Sequence, residues 1–592
     1  MPSFAKVLVA NRGEIAIRVF RTLRELGISP VAVYSEADRG SLHVALADEA
    51  YLLGPGAPAE SYLNGERILA VARRAGVEAV HPGYGFLAEN AAFARACSDA
   101  GLTWIGPPPE AIELMGSKVA ARELMERAGV PIVPGTTEPV ESVEEVVRLG
   151  KEYGWPLAIK ASSGGGGKGL KVVASPEEAK RAFASARREG EAYFADATVY
   201  VEKFIEDPRH VEVQVLADSQ GSVVHLGERD CTIQRRHQKL VEETPSPAVT
   251  SEMRERIGHI AVDAARAAGY RSAGTIEGLL APDASYYFLE MNTRIQVEHT
   301  VTELVTGVDL VREQILIAAG EPISFGQEDV RFSGHAIECR INAEDPANGF
   351  LPSPGVVTAY REPAGPGVRV DSGVAEGSEV VGLYDPLIAK LCVWDTDRER
   401  ARRRMLRALE EFVVEGVTTL IGFHRALLSH PCFTDGTTCR GVVEEIAAGE
   451  PEPPTAMLPA APGVTRARTL EIELDSRRYE VKLLRAEPPY AELARRRRER
   501  TRGGAHHAAA REAVVSPMQG TVLAVEVADG DEVSEGQVIC VVEAMKMENE
   551  ITAHRRGHVT GLSVSPGEPV KTGQVICIVA QEGEATDVEL ER

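Results

Sequence analysis

Leu157-Ala158-Ile159-Lys160-Ala161-Ser162-Ser163-Gly164-Gly165-Gly166-Gly167-Lys168-Gly169-Leu170-Lys171-Val172-Val173 reads as a strand, a glycine loop and a returning strand. A Walker A loop needs Ser or Thr after its Gly-Lys and a helix behind it, whereas here Gly169 follows Lys168 and another strand begins. Four glycines let the backbone approach phosphate oxygens closely, and Lys160 adds a point charge. The pattern describes a flap over phosphates, with Lys160 and Gly164, Gly165, Gly166 and Gly167 as nucleotide-binding candidates.

Phe288 to Glu298 complements the flap. Continuous period-two geometry puts Glu290, Asn292, Arg294, Gln296 and Glu298 on one face and Leu289, Met291, Ile295 and Val297 on the other. Carboxylate and amide oxygens suit Mg²⁺, so Glu277, Glu290 and Asn292 form the metal set. Arg294 offers a planar fork for a small oxyanion, and Glu298 stands nearby as a base.

Towards the N-terminus, Lys6 to Ala10, Gly13 to Leu26 and Val31 to Tyr34 read as strand, helix and parallel strand. The first turn, Asn11-Arg12-Gly13-Glu14-Ile15-Ala16, lacks the Gly-x-Gly-x-x-Gly of a dinucleotide enzyme, which sets an NAD-dependent oxidoreductase aside. Strands and helices alternate to about residue 445, the pattern of mixed α/β layers.

The chain has 592 residues, and 65 Lys+Arg against 88 Asp+Glu give a formal charge of −23. That balance disfavours nucleic acid. No apolar run has membrane-spanning length and no signal region opens the chain, so a cytoplasmic protein away from membranes is expected. Eight scattered cysteines indicate neither a disulfide framework nor a zinc site. Cys231 reads as a buried spectator.

Beyond residue 450 the texture changes. Prolines 451, 453, 454, 459 and 462 make an extended spacer. Thr469 to Leu484 alternates around Asp475-Ser476 as a hairpin with one apolar face, and Arg495 to Arg498 with Gly503-Gly504 make a solvated tether. Shifting the chain by 37 positions then lays Gly520 on Gly557, Val522 on Val559 and Gly536-Gln537-Val538-Ile539-Cys540 on Gly573-Gln574-Val575-Ile576-Cys577. Each copy reads as short strands broken by glycine turns, and two copies can close a small flattened barrel that neither builds alone. Lys546, within Glu543-Ala544-Met545-Lys546-Met547-Glu548, falls on the turn between the halves. That place resembles the attachment site of biotinyl domains.

Further stretches are His81-Pro82-Gly83-Tyr84-Gly85-Phe86-Leu87, Met115-Gly116-Ser117-Lys118, Glu228-Arg229-Asp230-Cys231, Gln234-Arg235-Arg236-His237-Gln238-Lys239 and Arg294-Ile295-Gln296-Val297-Glu298-His299. Together with the glycine flap they resemble the biotin carboxylases of the ATP-grasp superfamily over about residues 1 to 445. With the duplicated unit, the whole chain is similar to α subunits of bacterial acyl-CoA carboxylases of the acetyl/propionyl-CoA type. Thr300 stands where the family usually has proline, Ile295 replaces leucine, and Lys168 replaces arginine.

The resemblance implies α/β and α+β architecture. A Rossmann-like domain would span 1–117, an ATP-grasp domain 118–330 with its lid at about 133–203, and a C-terminal carboxylase domain 331–447. A linker at 448–512 would hold the subunit-docking hairpin 469–484, followed by an all-β biotinyl domain at 513–580 and a tail at 581–592. It further implies biotin on Lys546, ATP, and Mg²⁺, with Mn²⁺ acceptable to the same oxygens. Lys118, Lys160 and the glycine loop would hold ATP phosphates, Glu202 and Lys203 would meet the adenine side and His210 the ribose region, with Gln234 and His237 also on the nucleotide. Arg294, Gln296 and the Val297 amide would cradle bicarbonate beside Lys239. Glu298 would remove its proton, and Arg340 would stabilise the biotin enolate before carboxybiotin departs.

A carboxyltransferase β subunit and a biotin protein ligase are the implied partners, in a hetero-oligomer with paired α subunits. A disordered tether over 485–512 would span about 30 Å against a carboxylase diameter of roughly 60 Å, so the carrier must stretch its tether or serve a neighbouring subunit. Two other classes compete: an ATP-grasp ligase with a lipoyl-type carrier, and a biotin carrier scaffold without catalysis.

Overall fold

The structure is a computed structural model. It describes residues 4–136, 138–161, 170–194, 198–236, 238–449, 465–474, 477–486, 513–544 and 547–580. The chain divides into two compact units, one formed by residues 1–381 and 386–450, the other by 382–385 and 451–592.

The first unit opens with a five-stranded parallel sheet in the order Glu49–Gly54, Ser29–Ser35, Lys6–Val9, Ala79–His81, Thr103–Trp104. Val7 and Val9 bury against Ile15, Val19 and Leu23 of the helix Gly13–Glu25, which is how the first strand–helix–strand unit closes its core. The expected opening elements are all present.

An eight-stranded antiparallel sheet carries the rest. Its order is Tyr286–Asn292, Ser272–Leu280, Arg209–Ala217, Val223–Arg235, Gln238–Thr244, His335–Asn342, Leu387–Asp395, Val368–Ser372. This sheet crosses residue 330, so the boundary expected there falls inside one continuous sheet. In Arg209–Ala217 the period-two rule sorts the chemistry: Val211, Val213 and Val215 pack beneath the helix Ser251–Ala267, while His210, Glu212 and Gln214 fall on the opposite face. Ile276 and Thr275 divide the neighbouring strand in the same way.

The flap is a three-stranded sheet in which Leu157–Ala161 lies between Leu170–Val173 and Val199–Lys203. Leu157 opposes Val173 and Lys160 opposes Leu170, so the strand and the returning strand pair as the sequence reads. The glycine run itself, Gly164 to Gly167, lies outside the described residues.

Two expectations are corrected. The strand expected from Phe288 to Glu298 ends at Asn292, and residues 293–298 are a loop running into the helix His299–Thr306. A register shift between Glu277 and Gly278 also breaks the alternation, leaving Leu289 exposed. The cysteines differ as well: Cys432 and Cys439 form a disulfide, their Cα atoms 5.2 Å apart, because the tight turn between them folds Thr437 N–H back onto the Cys432 carbonyl. Cys231 is buried.

In the second unit the hairpin pairs Thr465–Leu474 with Arg477–Ala486, setting Leu470 opposite Val481 and Ile472 opposite Tyr479. It is longer than the expected 469–484; its turn, Asp475-Ser476, lies outside the described residues, as do 450–464 and 487–512.

The carrier has two four-stranded sheets. One joins Ala513–Val515, Val575–Ala580, Gly557–Thr560 and Glu532–Val533; the other joins Met547–Thr552, Val538–Ala544, Gly520–Val525 and Pro569–Val570. Each copy lends its short strand to the other's sheet, so neither half closes by itself. Gly530 N–H donates to the Val559 carbonyl at 2.7 Å, and 37 positions on Gly567 N–H donates to Val522 at 2.7 Å. Val522, Ile539, Cys540 and Val542 share one core with Val559, Ile576, Cys577 and Val579. Ala544 pairs with Met547 at the hairpin end between the copies; Met545 and Lys546 lie outside the described residues.

Candidate active site

One rung of the large sheet sets Glu290 opposite Glu277, Glu277 opposite Glu212, and Glu212 opposite Arg229. Three carboxylates in a row on a largely buried surface repel one another unless cations lie between them. Arg229 is fully buried and spends all five guanidinium donors there. Nε goes to Glu212 at 2.6 Å, Nη1 to Gln214 at 2.8 Å and Thr302 at 3.0 Å, and Nη2 to Gln296 at 2.8 Å and Thr275 at 3.1 Å. Lys239 supplies the second cation. Its Nζ contacts Glu212 and lies 2.8 Å from Glu277 and 2.7 Å from Glu298.

The chain leaves the sheet after Asn292, yet the loop returns its polar residues to this rung. Asn292 Nδ2 donates to Glu277 Oε1 at 2.7 Å and Gln296 Nε2 donates to the same oxygen at 2.6 Å. Arg294 donates Nη2 to Asn292 Oδ1 at 2.8 Å and Nε to Glu89 at 3.0 Å. The Val297 carbonyl accepts from buried Lys390 at 2.9 Å, which fixes the backbone just before Glu298. Arg340 then completes the cage: Nη2 reaches Glu298 Oε2 at 2.9 Å and Nε reaches Glu242 at 2.6 Å. Thus Glu298, Lys239, Arg340, Gln296 and Asn292 come together, while Arg294 joins them through Asn292 and also binds Glu89.

Burial pushes the Glu298 carboxyl up, but Lys239, Arg340 and Arg229 outweigh it and hold it well below the usual carboxylate range. Burial lowers the Lys239 ammonium, and Glu212 and Glu298 more than reverse that. Glu277 is likewise depressed, burial being overcome by the His210 hydrogen bond and Lys239. Glu290 is raised, by burial and by the charge of Glu277. Among the described residues no salt bridge reaches Glu290, and Lys118 and His210 are the basic groups that act on it. A hard-oxygen set of Glu277, Glu290 and Asn292, with two carboxylates facing across adjacent strands, suits a divalent cation such as Mg²⁺.

The remaining nucleotide candidates lie on several separate elements. Lys118 opens the helix Lys118–Arg127. Lys160 is ion-paired with Glu202, and the backbone N–H of Lys203 donates to Pro134 at 2.8 Å. His210, linked by the resemblance to a ribose, has its Nε2 2.8 Å from Glu277. Gln234 Nε2 donates to the Cys231 carbonyl at 2.8 Å, and His237 lies outside the described residues. Basic and acidic groups that line the flap and the rung can hold a polyphosphate and its metal.

Sequence reasoning gave no role to Glu89, Glu212, Arg229, Glu242 or Lys390. Polar Glu212 and Gln214 between valines are a legible signal. Glu242 and Lys390 leave none, because each meets its partner, Arg340 or Val297, more than 90 residues away in the chain. Thr300 has a local reason: its hydroxyl donates to buried Glu338 and accepts from Cys392 Sγ at 3.1 Å, partners a proline cannot serve.

A flap whose lead-in residue Ile132 pairs with Phe288 at the edge of a carboxylate-rich sheet, in a chain that also carries a duplicated β carrier, defines an ATP-dependent ligase of the ATP-grasp type with its own prosthetic-group carrier. Family models agree along the chain: biotin carboxylase N-terminal domain at 3–112, carbamoyl-phosphate synthase L chain ATP-binding domain at 117–325, biotin carboxylase C-terminal domain at 338–445, and biotin-requiring enzyme at 512–579. The biotin-dependent acyl-coenzyme A carboxylase alpha3 subunit of Mycobacterium leprae is 48% identical over 565 residues, 93% of this chain and 94% of that protein. The biotin carboxylase of Nostoc sp. is 54% identical over 443 residues, 75% of this chain and 99% of that one. The crystal structure of the biotin carboxylase domain dimer of Hydrogenobacter thermophilus 2-oxoglutarate carboxylase, in complex with MgADP, ADP and bicarbonate, matches with a TM-score of 0.69 and 50% identity, covering 76% of this chain and 99% of that chain. The chain belongs to the biotin carboxylase family, in the form that carries a biotinyl domain on the same polypeptide. It is an ATP-dependent ligase whose cofactors are biotin, ATP and Mg²⁺. No helix among the described residues is long and apolar enough to cross a membrane.

Proposed function

We propose that this chain is the α subunit of a biotin-dependent acyl-CoA carboxylase, which carboxylates biotin on its own Lys546 and passes the carboxyl group to a separate carboxyltransferase subunit. The observation that carries the reading is the match to an acyl-coenzyme A carboxylase α subunit over both the carboxylase and the carrier parts. Identity within the carboxylase part alone does not choose the acceptor, because the 2-oxoglutarate carboxylase relative, named for a keto acid, is 50% identical there. Acyl-CoA choice therefore belongs to the partner.

In this reading ATP supplies the phosphoryl group, Mg²⁺ polarises its oxygens, and biotin supplies the nitrogen that carries the carboxyl. Lys118, Lys160 and the glycine run hold phosphates; Glu202, Lys203, His210, Gln234 and His237 line the nucleotide; Glu277, Glu290 and Asn292 hold the metal. Arg294, Gln296 and the Val297 amide orient bicarbonate, and Glu298 takes its proton. Glu298 is ionised but weakly basic while Lys239 and Arg340 grip it. An arriving anion that draws either cation away restores its basicity, which ties proton removal to a filled site. Arg340, once freed from Glu298, would offer its positive charge to the ureido group of a bound biotin. Co-purification of the chain with a carboxyltransferase, followed by assays with acetyl-CoA, propionyl-CoA, longer acyl-CoA and 2-oxoglutarate, tests the assignment. Carboxylation of the keto acid alone sinks the acyl-CoA part. A biotin protein ligase is the second partner proposed, and cytoplasmic location and paired α subunits complete the reading.

A further inference from the structure

On the face of the large sheet away from the active site, His225 of the strand Val223–Arg235 is 2% exposed, and neither of its ring nitrogens has a hydrogen-bond partner among the described residues. A buried polar group left unpaired is unfavourable, so a partner outside the protein is called for. The ring is not there by accident of a loose side chain. Its backbone is pinned on both sides by Gln327, whose Oε1 accepts from His225 N–H at 2.8 Å and whose Nε2 donates to the His225 carbonyl at 3.0 Å. Gly258 of the helix Ser251–Ala267 passes directly over the ring: a Cβ there would stand 2.3 Å from His225 Cε1. Only glycine leaves the room.

Either side of Gly258, the same helix presents Glu255 and His259, four residues apart and therefore on one face. Both are exposed. One ligand atom from each of His225, Glu255 and His259 lies within 4.8 Å of the others. Around a tetrahedral Zn²⁺, ligand atoms about 2.0–2.1 Å from the metal stand roughly 3.3 Å apart, which rotamer adjustment of the two exposed side chains can supply. We propose that His225, Glu255 and His259 form a transition-metal site, matched to Zn²⁺, that staples the helix Ser251–Ala267 to the strand Val223–Arg235. Two imidazoles and a carboxylate are a borderline-soft set that selects Zn²⁺ over Mg²⁺, unlike the all-oxygen set at Glu277 and Glu290. A fourth position stays open to water. The site sits on the strand that also carries Arg229, so it braces the sheet from behind without touching substrate.

The test uses the full-length biotinylated chain, stripped of metal and titrated with Zn²⁺ against a chromophoric chelator, beside His259→Ala and Glu255→Ala. Glu277 and Glu290 can take cations as well, so the reading is the difference between proteins. Wild type is expected to hold one more tight equivalent than His259→Ala, with Glu255→Ala weakened roughly tenfold or more. Co²⁺ should give a visible ligand-field band in wild type that His259→Ala lacks. Both variants alter exposed positions, so their folding does not confound the comparison. Equal Zn²⁺ stoichiometry and affinity in wild type and His259→Ala overturns the proposal and leaves His225 to a buried water.

Discussion

Arg340 Nη2 lies 2.9 Å from Glu298 Oε2, and the same guanidinium holds Glu242 through Nε at 2.6 Å. The group proposed to meet the biotin oxygen thus rests on the proposed base until substrate arrives. Burial raises the Glu242 carboxyl, an effect that Arg340 opposes and that Glu338 and Glu298 add to. Glu242 is therefore a charge the cage barely tolerates, kept where it steadies Arg340.

Glu298→Gln keeps the hydrogen-bonding shape and removes the base. ATP binding should persist, while biotin-dependent ATP cleavage should fall by about 10² to 10⁴-fold. Steady-state turnover beside equilibrium nucleotide binding checks this, and undiminished turnover removes Glu298 from the role.

Arg229→Met should destabilise the carboxylase unit by about 3–5 kcal/mol, because Glu212 would remain buried without its guanidinium partner. Urea unfolding measures the loss. Lys239 still contacts Glu212, so a loss below about 1 kcal/mol would mean Lys239 alone neutralises the rung.

Glu14 gives a pH signature. Burial raises its carboxyl to about 7, more than Lys390, 3.4 Å away, lowers it. An acid whose folded pKa exceeds its unfolded value costs nothing below the unfolded pKa and costs progressively more as pH rises to the folded one. Glu14→Gln should therefore gain stability over wild type between about pH 4.5 and 7, by at most about 3 kcal/mol at the plateau. Urea midpoints at pH 5 and pH 8 give the difference; an equal offset at both would show that Glu14 titrates normally.

In the carrier, a Cβ on Gly520 would meet the Glu543 carbonyl at 2.3 Å, and one on Gly557 the Ala580 carbonyl at 2.4 Å. Gly520→Ala and Gly557→Ala should each cost about 1–3 kcal/mol. Hydrogen exchange of the full chain should show faster exchange over Val538–Thr552 and Val575–Ala580, and similar losses in the two variants would bear out their equivalence.

Local patterns were the legible ones. The flap could be read because its strands are sequence neighbours, and the carrier because its two halves repeat the same glycines and valines. The site residues after Asn292 follow a period-two spacing that the backbone does not keep; they converge because the loop 293–298 returns to the rung, and Glu89 and Lys390 steer that return. Such steering comes from distant strands and leaves no periodic trace. The same holds for His225 and His259, whose 34-residue separation hides a contact made by sheet and helix packing.

The central claim is that this one chain moves bicarbonate carbon onto its own Lys546. Incubating the biotinylated full-length protein with MgATP and ¹⁴C-bicarbonate, then mapping the label after rapid digestion, tests it directly. Label confined to the peptide with Lys546, dependent on ATP and absent from Lys546→Ala, is the expected result. Label of equal amount in Lys546→Ala, or none in wild type while ATP is cleaved, contradicts the account.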